Sequence, residues 1–422
     1  RIVTGGGEVG AFLTRHPSID HVHVTGSEAT FDAIVWGTGD EAERRRSDDD
    51  PRLTVPITAE LGGVSPVIVV PGRWSTADLC FQAEHVATMR LHNNGHNCIA
   101  GQVVLVSADW PQRREFLVEL RRAYARAPRR PGWYPGTAAT LDRARRDHPG
   151  ATWFARGERA LVVSADAREP GGAETSDRGG AGARARGGVG ASDRGASSEI
   201  GTTSDATAHI LRGSADLRRS ADAGWAGAPH GTSEGARSEA SVDPIETIEY
   251  FAPVLGVVEL PGLGQEFLDA AVAHANERLA GTLGANLLID PATQAALGAG
   301  FEEAVADLRY GTVAINAWTA FGFLTPTATW GAFPGGTLAH APSGIGTVHN
   351  ALLLDDVERT VVRGPFRPFP RSLRGGGFTV LPKPPWFVTA RTGAAVCEGF
   401  TRFRGDGDRA RLAVTLAKAF RA

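Results

Sequence analysis

His92-Asn93-Asn94-Gly95-His96-Asn97-Cys98-Ile99-Ala100-Gly101 runs directly into Gln102-Val103-Val104-Leu105-Val106. A polar, glycine-containing turn that opens onto a short aliphatic run reads as the entry to a buried strand, and the residues before it, Ser75 to Asn93, carry helical spacing with Ser75 as cap. Helix, turn and strand in that order are the repeating unit of an α/β fold with a mostly parallel sheet. The turn also holds one of three cysteines. A lone cysteine is more often a small buried hydrophobe than a nucleophile, but a turn that aims backbone N–H groups at sulfur favours the thiolate. Two histidines, His92 and His96, flank it. With no carboxylate beside them they read as polar turn residues, and no metal site is expected.

The composition narrows the classes. A chain of 422 residues holds two or three domains with ample core, and a net charge of −3 points to neither nucleic acid nor an anionic membrane. Cys80, Cys98 and Cys397 are odd in number and widely spaced, which argues for a reducing compartment, with the cytoplasm as the expected location. No apolar run is long enough to span a bilayer. Lys383 and Lys418 are the only lysines, so 44 minus 2, or 42, of the basic residues are arginine, which reflects base composition more than binding.

Working outward, Ile2-Val3-Thr4 reads as a strand, Glu8 to Arg15 as a helix, and His21 to Thr25 as a strand. Gly26-Ser27 then opens a helix to Trp36. Ser27 suits the cap, and such a helix start suits a phosphate. Glu41 to Arg52 reads as a charged loop. Leu53 to Gly63 is a strand ending in Glu60 beside two glycines, and Pro66 to Val70 is a buried strand. Beyond the strand Gln102 to Ser107 lies a helix, Pro111 to Ala127. Residues 168–243 are rich in Gly, Ala, Ser, Arg and Asp, repeat Ser-Asp-Arg-Gly at 176–179 and 192–195, and read as a disordered insertion. Order resumes with a strand-rich stretch, Ile245 to Val258. Helices Glu266 to Asn276 and Pro291 to Asp307 alternate with strands Gly284 to Ile289 and Gly311 to Asn316. Phe378 to Leu381 and Trp386 to Thr389 look extended, and the Arg- and Pro-rich stretch Arg363 to Arg374 has no evident chemical role. The scattered tryptophans read as core or edge anchors.

Four stretches together resemble the aldehyde dehydrogenase superfamily. Ala59-Glu60-Leu61-Gly62-Gly63-Val64-Ser65-Pro66 resembles its Glu-Leu-Gly-Gly-Lys-Ser-Pro motif, with Val64 in the lysine position. Asn94-Gly95-His96-Asn97-Cys98 resembles its nucleophile motif, with His96 where glutamine is commonest. Glu249-Tyr250-Phe251-Ala252-Pro253-Val254 resembles Glu-x-Phe-x-Pro-Val, and Phe333-Pro334-Gly335-Gly336 and Ser343-Gly344-Ile345-Gly346 resemble the late glycine loops. The resemblance implies a dehydrogenase-like α/β fold: residues 1–61 as the remnant of a Rossmann-type cofactor domain, 62–350 as an α/β catalytic domain interrupted at 168–243, and 351–422 as a tail of edge or oligomerisation strands. It implies oxidation of a small-molecule aldehyde with NAD or NADP, without nucleic acid or membrane partners, and a homo-oligomer in the complete protein. Cys98 would be the nucleophile and Glu60 the water-activating base. Glu249 would bind the nicotinamide ribose, Phe251 would brace its ring, and Gly26 and Ser27 would sit at the pyrophosphate. The family's oxyanion-hole asparagine and adenosine-ribose residues lie upstream of the segment matched by Ile2 to Gly7, so the chain reads as an incomplete form. The opposing reading is a non-catalytic remnant or interaction module that keeps these residues but cannot hold the dinucleotide. An acyltransferase without nicotinamide is disfavoured by Glu249-Tyr250-Phe251.

Overall fold

The computed structural model describes residues 2–163, 243–375 and 379–421, so the segment read as an insertion lies outside the described residues except for Asp243. Residues up to Leu13 group apart from those that follow. They carry most of helix α1, Gly7–Thr14, none of whose side chains is buried. The strand expected at Ile2-Val3-Thr4 does not form: among the described residues these pair with no strand, and Ile2 is 97% exposed.

In the larger unit the strands are β1 Val22–Thr25, β2 Ile57–Glu60, β3 Ser65–Val69, β4 Gly101–Ser107, β5 Thr152–Phe154, β6 Arg159–Val163, β7 Val254–Leu260, β8 Gly284–Leu288, β9 Thr312–Ile315, β10 Trp330–Gly331, β11 Gly344–Ile345, β12 Thr347–His349 and β13 Thr360–Arg363. Eight of them form one sheet in the order β13-β9-β8-β3-β4-β7-β6-β5, parallel throughout except for the β5–β6 pair. The aliphatic runs explain this. Every residue of β3, β4, β8 and β9 is buried, as a strand covered on both faces requires. Along β3, Ile68 enters one apolar cluster with Val64 and Val70, while Val67 and Val69 enter the other. Each such side chain contributes roughly 1.5–3 kcal/mol of burial.

Helix α2, Glu28–Val35, starts at the cap Ser27, whose oxygen accepts from the Thr30 N–H at 3.2 Å. The charged stretch expected as a loop instead forms helix α3, Asp40–Ser47. Its acidic residues fall in the first turn and Arg44, Arg45 and Arg46 in the last, so both ends oppose the helix dipole. Glu41 also pairs with Arg45 at the i,i+4 spacing. Helix α4, Thr76–Leu91, begins with a capping box between Ser75 and Asp78 and crosses from β3 to β4. Helices α5, Arg113–Arg126, and α6, Thr137–Asp147, follow β4. The expected helix Pro291 to Asp307 is broken into Pro291–Leu297 and Ala299–Asp307 at Gly298, where φ is +53° and ψ −124°. Of the strand-rich stretch from Ile245, residues Pro244–Thr247 are a helical turn capped by Asp243, and pairing begins only at Val254.

After residue 350, β13 adds an edge strand. Trp386 to Thr389 makes turns rather than a strand, and the chain closes with helices Gly393–Asp406 and Arg409–Ala419. The Arg- and Pro-rich stretch has a structural role: Arg367 and Arg371 both bind the carboxylate of Asp78, which is 2% exposed on α4. Burial pushes that carboxyl up, but hydrogen bonds from Arg367 and Ser75 outweigh it and hold it below the usual range. Trp36, Trp74, Trp110, Trp318 and Trp330 are core anchors, whereas Trp133 is 61% exposed. Among the described residues no helix is long and apolar enough to cross a membrane.

Candidate active site

Sheet order brings the sequence motifs together. The Glu60 segment enters β3, the Cys98 turn enters β4, and Glu249 to Pro253 enter β7; β3, β4 and β7 are neighbours. Three loops far apart in sequence therefore meet at one end of the central strands.

The Cys98 turn needs unusual backbone. Asn93 and Asn94 are left-handed, with φ of +52° and +56°, a conformation asparagine tolerates better than most residues. Gly95 has φ +78°, and a Cβ there would lie 2.6 Å from the Ala252 carbonyl, so only glycine lets the turn pack on the third loop. Asn93 Nδ2 donates to the His96 carbonyl at 2.9 Å and Asn97 Nδ2 to the His92 carbonyl at 3.0 Å, closing the turn. The result is a half-buried Cys98 whose Sγ donates to Glu60 Oε1 at 2.9 Å. Burial, then the charge of Glu60 and its hydrogen bond, then Glu249, push the thiol pKa up, while the Cys98 backbone N–H opposes them. The thiol thus sits in hydrogen-bond contact with a carboxyl oxygen that can accept its proton.

Glu60 itself is 2% exposed and lies at the end of β2. That end is fixed from both sides. Thr25 of β1 pairs with it in parallel, and Gly344 of β11 pairs with it in antiparallel register. Ser343, fully buried, donates to the Gly62 carbonyl and accepts from the Thr282 N–H at 2.7 Å. The late Ser-Gly-Ile-Gly loop thus locks the Glu60–Gly63 turn. Gly26 and Ser27 follow β1, and the Gly26 N–H donates to the Glu60 carbonyl at 3.0 Å. Gly26 therefore ties the two strand ends together, and both residues are exposed.

The Glu249 carboxyl is turned inward against Gly62, where an added Cβ would lie 2.3 Å from its Oε2. Burial raises its pKa to about 8, against the pull of Arg90 and the Gly63 N–H and with a further push from Glu60. Phe251 has φ +43°, a strained value for a bulky residue that costs on the order of 1–2 kcal/mol. Gln102 helps to hold it, accepting from the Tyr250 N–H at 3.0 Å and donating to the Ile248 carbonyl at 2.7 Å.

The motifs did not disclose Arg90. Fully buried at the end of α4, it donates from Nε to the Ala252 carbonyl at 2.8 Å and from Nη1 to the Ala100 carbonyl at 3.3 Å. It joins the Cys98 loop to the Glu249 loop, and burial lowers its pKa to about 10. A lone arginine in the apolar run Val86 to Leu91, just before the Cys98 turn, is the sequence signal. Arg90→Met would strand two carbonyls and is expected to cost about 2–4 kcal/mol, measured by denaturant unfolding; a loss under about 0.5 kcal/mol would remove Arg90 from this role. Trp318, read from the sequence only as a core or edge anchor, donates from Nε1 to the Ile99 carbonyl at 2.8 Å beside Cys98. His92 and His96 join no metal-binding group among the described residues. His96 Nε2 meets Thr137 Oγ1 at 3.0 Å, and burial, then Arg90, holds its pKa down.

Residues 1–136, which contain Glu60 and Cys98, match the sequence profile of the Aldehyde dehydrogenase family. Over those residues the chain is similar to the aldehyde dehydrogenase family. It is 36% identical over 104 residues to coniferyl aldehyde dehydrogenase of Pseudomonas sp. (strain HR199 / DSM 7063), covering 25% of this chain and 18% of that one. It is 35% identical over 109 residues to NADP-dependent glyceraldehyde-3-phosphate dehydrogenase of Scenedesmus vacuolatus, covering 26% and 39%. These matches span well under two thirds of the relatives' own lengths. A crystal structure of NADP-dependent glyceraldehyde-3-phosphate dehydrogenase from Bacillus halodurans C-125 complexed with NADP superimposes with TM-score 0.48 at 18% identity, over 82% of this chain and 52% of that one. The family match ends before Glu249 and Phe251, whose loop is brought to the Cys98 turn by the sheet order, the packing of Gly95 on Ala252 and the bonds of Arg90.

Proposed function

We propose that the natural polypeptide oxidises an aldehyde to a carboxylic acid with NAD or NADP, through a thioester on Cys98. The observation that carries this reading is the 2.9 Å contact of Cys98 Sγ with Glu60 Oε1 at the meeting point of the three loops. The names of the relatives, one a coniferyl aldehyde dehydrogenase and one NADP-dependent, support the substrate class and the cofactor.

The residues present suit a dinucleotide. Gly62 leaves room for the Glu249 carboxyl, an acceptor for ribose hydroxyls, and Phe251 offers a half-buried ring beside it. Ser27, two residues beyond the strand end that carries Glu60's partner, caps helix α2, and first-turn amides favour phosphate. When bound, the dinucleotide supplies the hydride acceptor. The chain's own residues do the rest. Glu60 takes the thiol proton as the sulfur adds to the carbonyl, and the Cys98 backbone N–H donates to the developing oxyanion of the thiohemiacetal. After that proton has passed to solvent, Glu60 deprotonates the water that attacks the Cys98 thioester, and Cys98 leaves as the thiolate and recovers a proton. The test is reduction of NAD or NADP by the natural polypeptide across a panel of aldehydes, and reduction with none of them would refute the proposal.

Glu249 makes a pH prediction. Its carboxyl keeps its proton below about 8, and the ionised form is the better acceptor for ribose hydroxyls. Dinucleotide affinity is therefore expected to rise from about pH 7 to about pH 9, and Glu249→Gln to flatten that rise; a flat profile in the unmodified protein would contradict the assignment. Stability runs the other way. The unfolded carboxyl ionises near 4.5, so its contribution is complete below that value and is lost as pH climbs through about 8.

A further inference from the structure

Phe251 does not stand alone. The edge of one ring meets the face of the other in its pairing with Tyr134, at 4.9 Å between centroids and 65°. Tyr134 is in turn stacked on His96 at 5.4 Å, and His96 lies 5.9 Å from Phe251, so the three rings form a closed triangle. Each comes from a different place: His96 from the nucleophile turn, Tyr134 from the loop between α5 and α6, and Phe251 from the loop entering β7. The Tyr134 loop is itself anchored to the nucleophile turn. Trp133 Nε1 donates to Asn93 Oδ1 at 3.0 Å, and Thr137 Oγ1 meets both the Tyr134 carbonyl, at 2.6 Å, and His96 Nε2, at 3.0 Å. Tyr134 is 43% exposed, so the fold does not need its ring as core. A half-exposed aromatic packed on a strained phenylalanine, in the loop that packs on the Cys98 turn, offers a flat ring from solvent a surface to stack on.

We propose that Tyr134 is a positioning residue for the dinucleotide: its ring fixes the Phe251 ring in the orientation that receives nicotinamide. The inference rests on the dinucleotide reading above and extends it to a loop that no motif marks. Tyr134 acts through its ring, because the edge-to-face contact with Phe251 and the stack on His96 both use ring carbons.

The test is equilibrium binding to the natural polypeptide, read by fluorescence, with two probes: the reduced dinucleotide, NADH or NADPH, and ADP-ribose or its 2′-phosphate, which lacks the nicotinamide. Tyr134→Ala is expected to weaken reduced-dinucleotide binding by about fivefold to tenfold, the scale of an aromatic pair, and to leave ADP-ribose binding unchanged. Tyr134→Phe should bind both probes like the unmodified protein. Equal weakening of both probes would mark Tyr134 as a general structural residue and overturn the proposal, as would full affinity in Tyr134→Ala. Phe251→Ala separates the two levels. If it loses nicotinamide-dependent affinity while Tyr134→Ala does not, the positioning role fails and the dinucleotide reading stands; if neither variant changes, the reading of Phe251 fails as well.

Discussion

Cys98→Ser is expected to abolish aldehyde-dependent reduction of NAD or NADP, by on the order of 10⁴-fold or more, while dinucleotide affinity is unchanged. Serine keeps the size and the hydrogen bond to Glu60, so the turn held by Asn93, Gly95 and Asn97 has no reason to move. What it loses is a nucleophile that a carboxylate can deprotonate. An alcohol is a far weaker acid than a thiol, and Glu60 cannot make an alkoxide. Steady-state rates and dinucleotide titration check this together, and turnover at the unmodified rate would remove Cys98 from the mechanism.

Glu60→Gln has the second-largest expected effect, and it divides by step. Thioester hydrolysis needs a base for water, so the steady rate should fall by about 10²–10⁴-fold while one reduced dinucleotide per site still appears as a burst. The thiol should behave in the opposite sense. The charge of Glu60 and its hydrogen bond help to keep Cys98 protonated, so removing that charge lowers the thiol pKa. Alkylation of Cys98 by iodoacetamide is expected to move to lower pH in the variant, with sulfur losing its proton to solvent in place of Glu60. An unchanged alkylation profile would mean that the 2.9 Å contact does not govern the sulfur, and an unchanged steady rate would mean that Glu60 is not the base.

The parts of the site legible in the sequence are those set by short-range chemistry. The Asn-Asn-Gly turn before Cys98, the Ser75 capping box and the aliphatic runs of β3, β4, β8 and β9 each declare themselves within a few residues. What the sequence could not display is pairing at a distance. Asp78 meets Arg367 across 289 positions, and Ser343 meets Gly62 across 281, so neither the tail's grip on α4 nor the lock on the Glu60 turn has a local signature. Two local readings failed for physical reasons of their own. The charged stretch at α3 reads as loop by composition, yet its charges are ordered along the helix dipole. Ile2 to Thr4 has strand-forming residues, but no strand among the described residues pairs with them.

The most direct measurement is mass mapping of the acyl enzyme. Glu60→Gln protein would be incubated with aldehyde and NAD or NADP, digested, and the peptides weighed. The thioester mechanism requires the acyl mass on the peptide that carries Cys98, in an amount equal to the burst. An acyl group on Cys80 or Cys397, or a burst with no acylated peptide, would contradict the assignment of Cys98 as nucleophile and Glu60 as the base that releases the product.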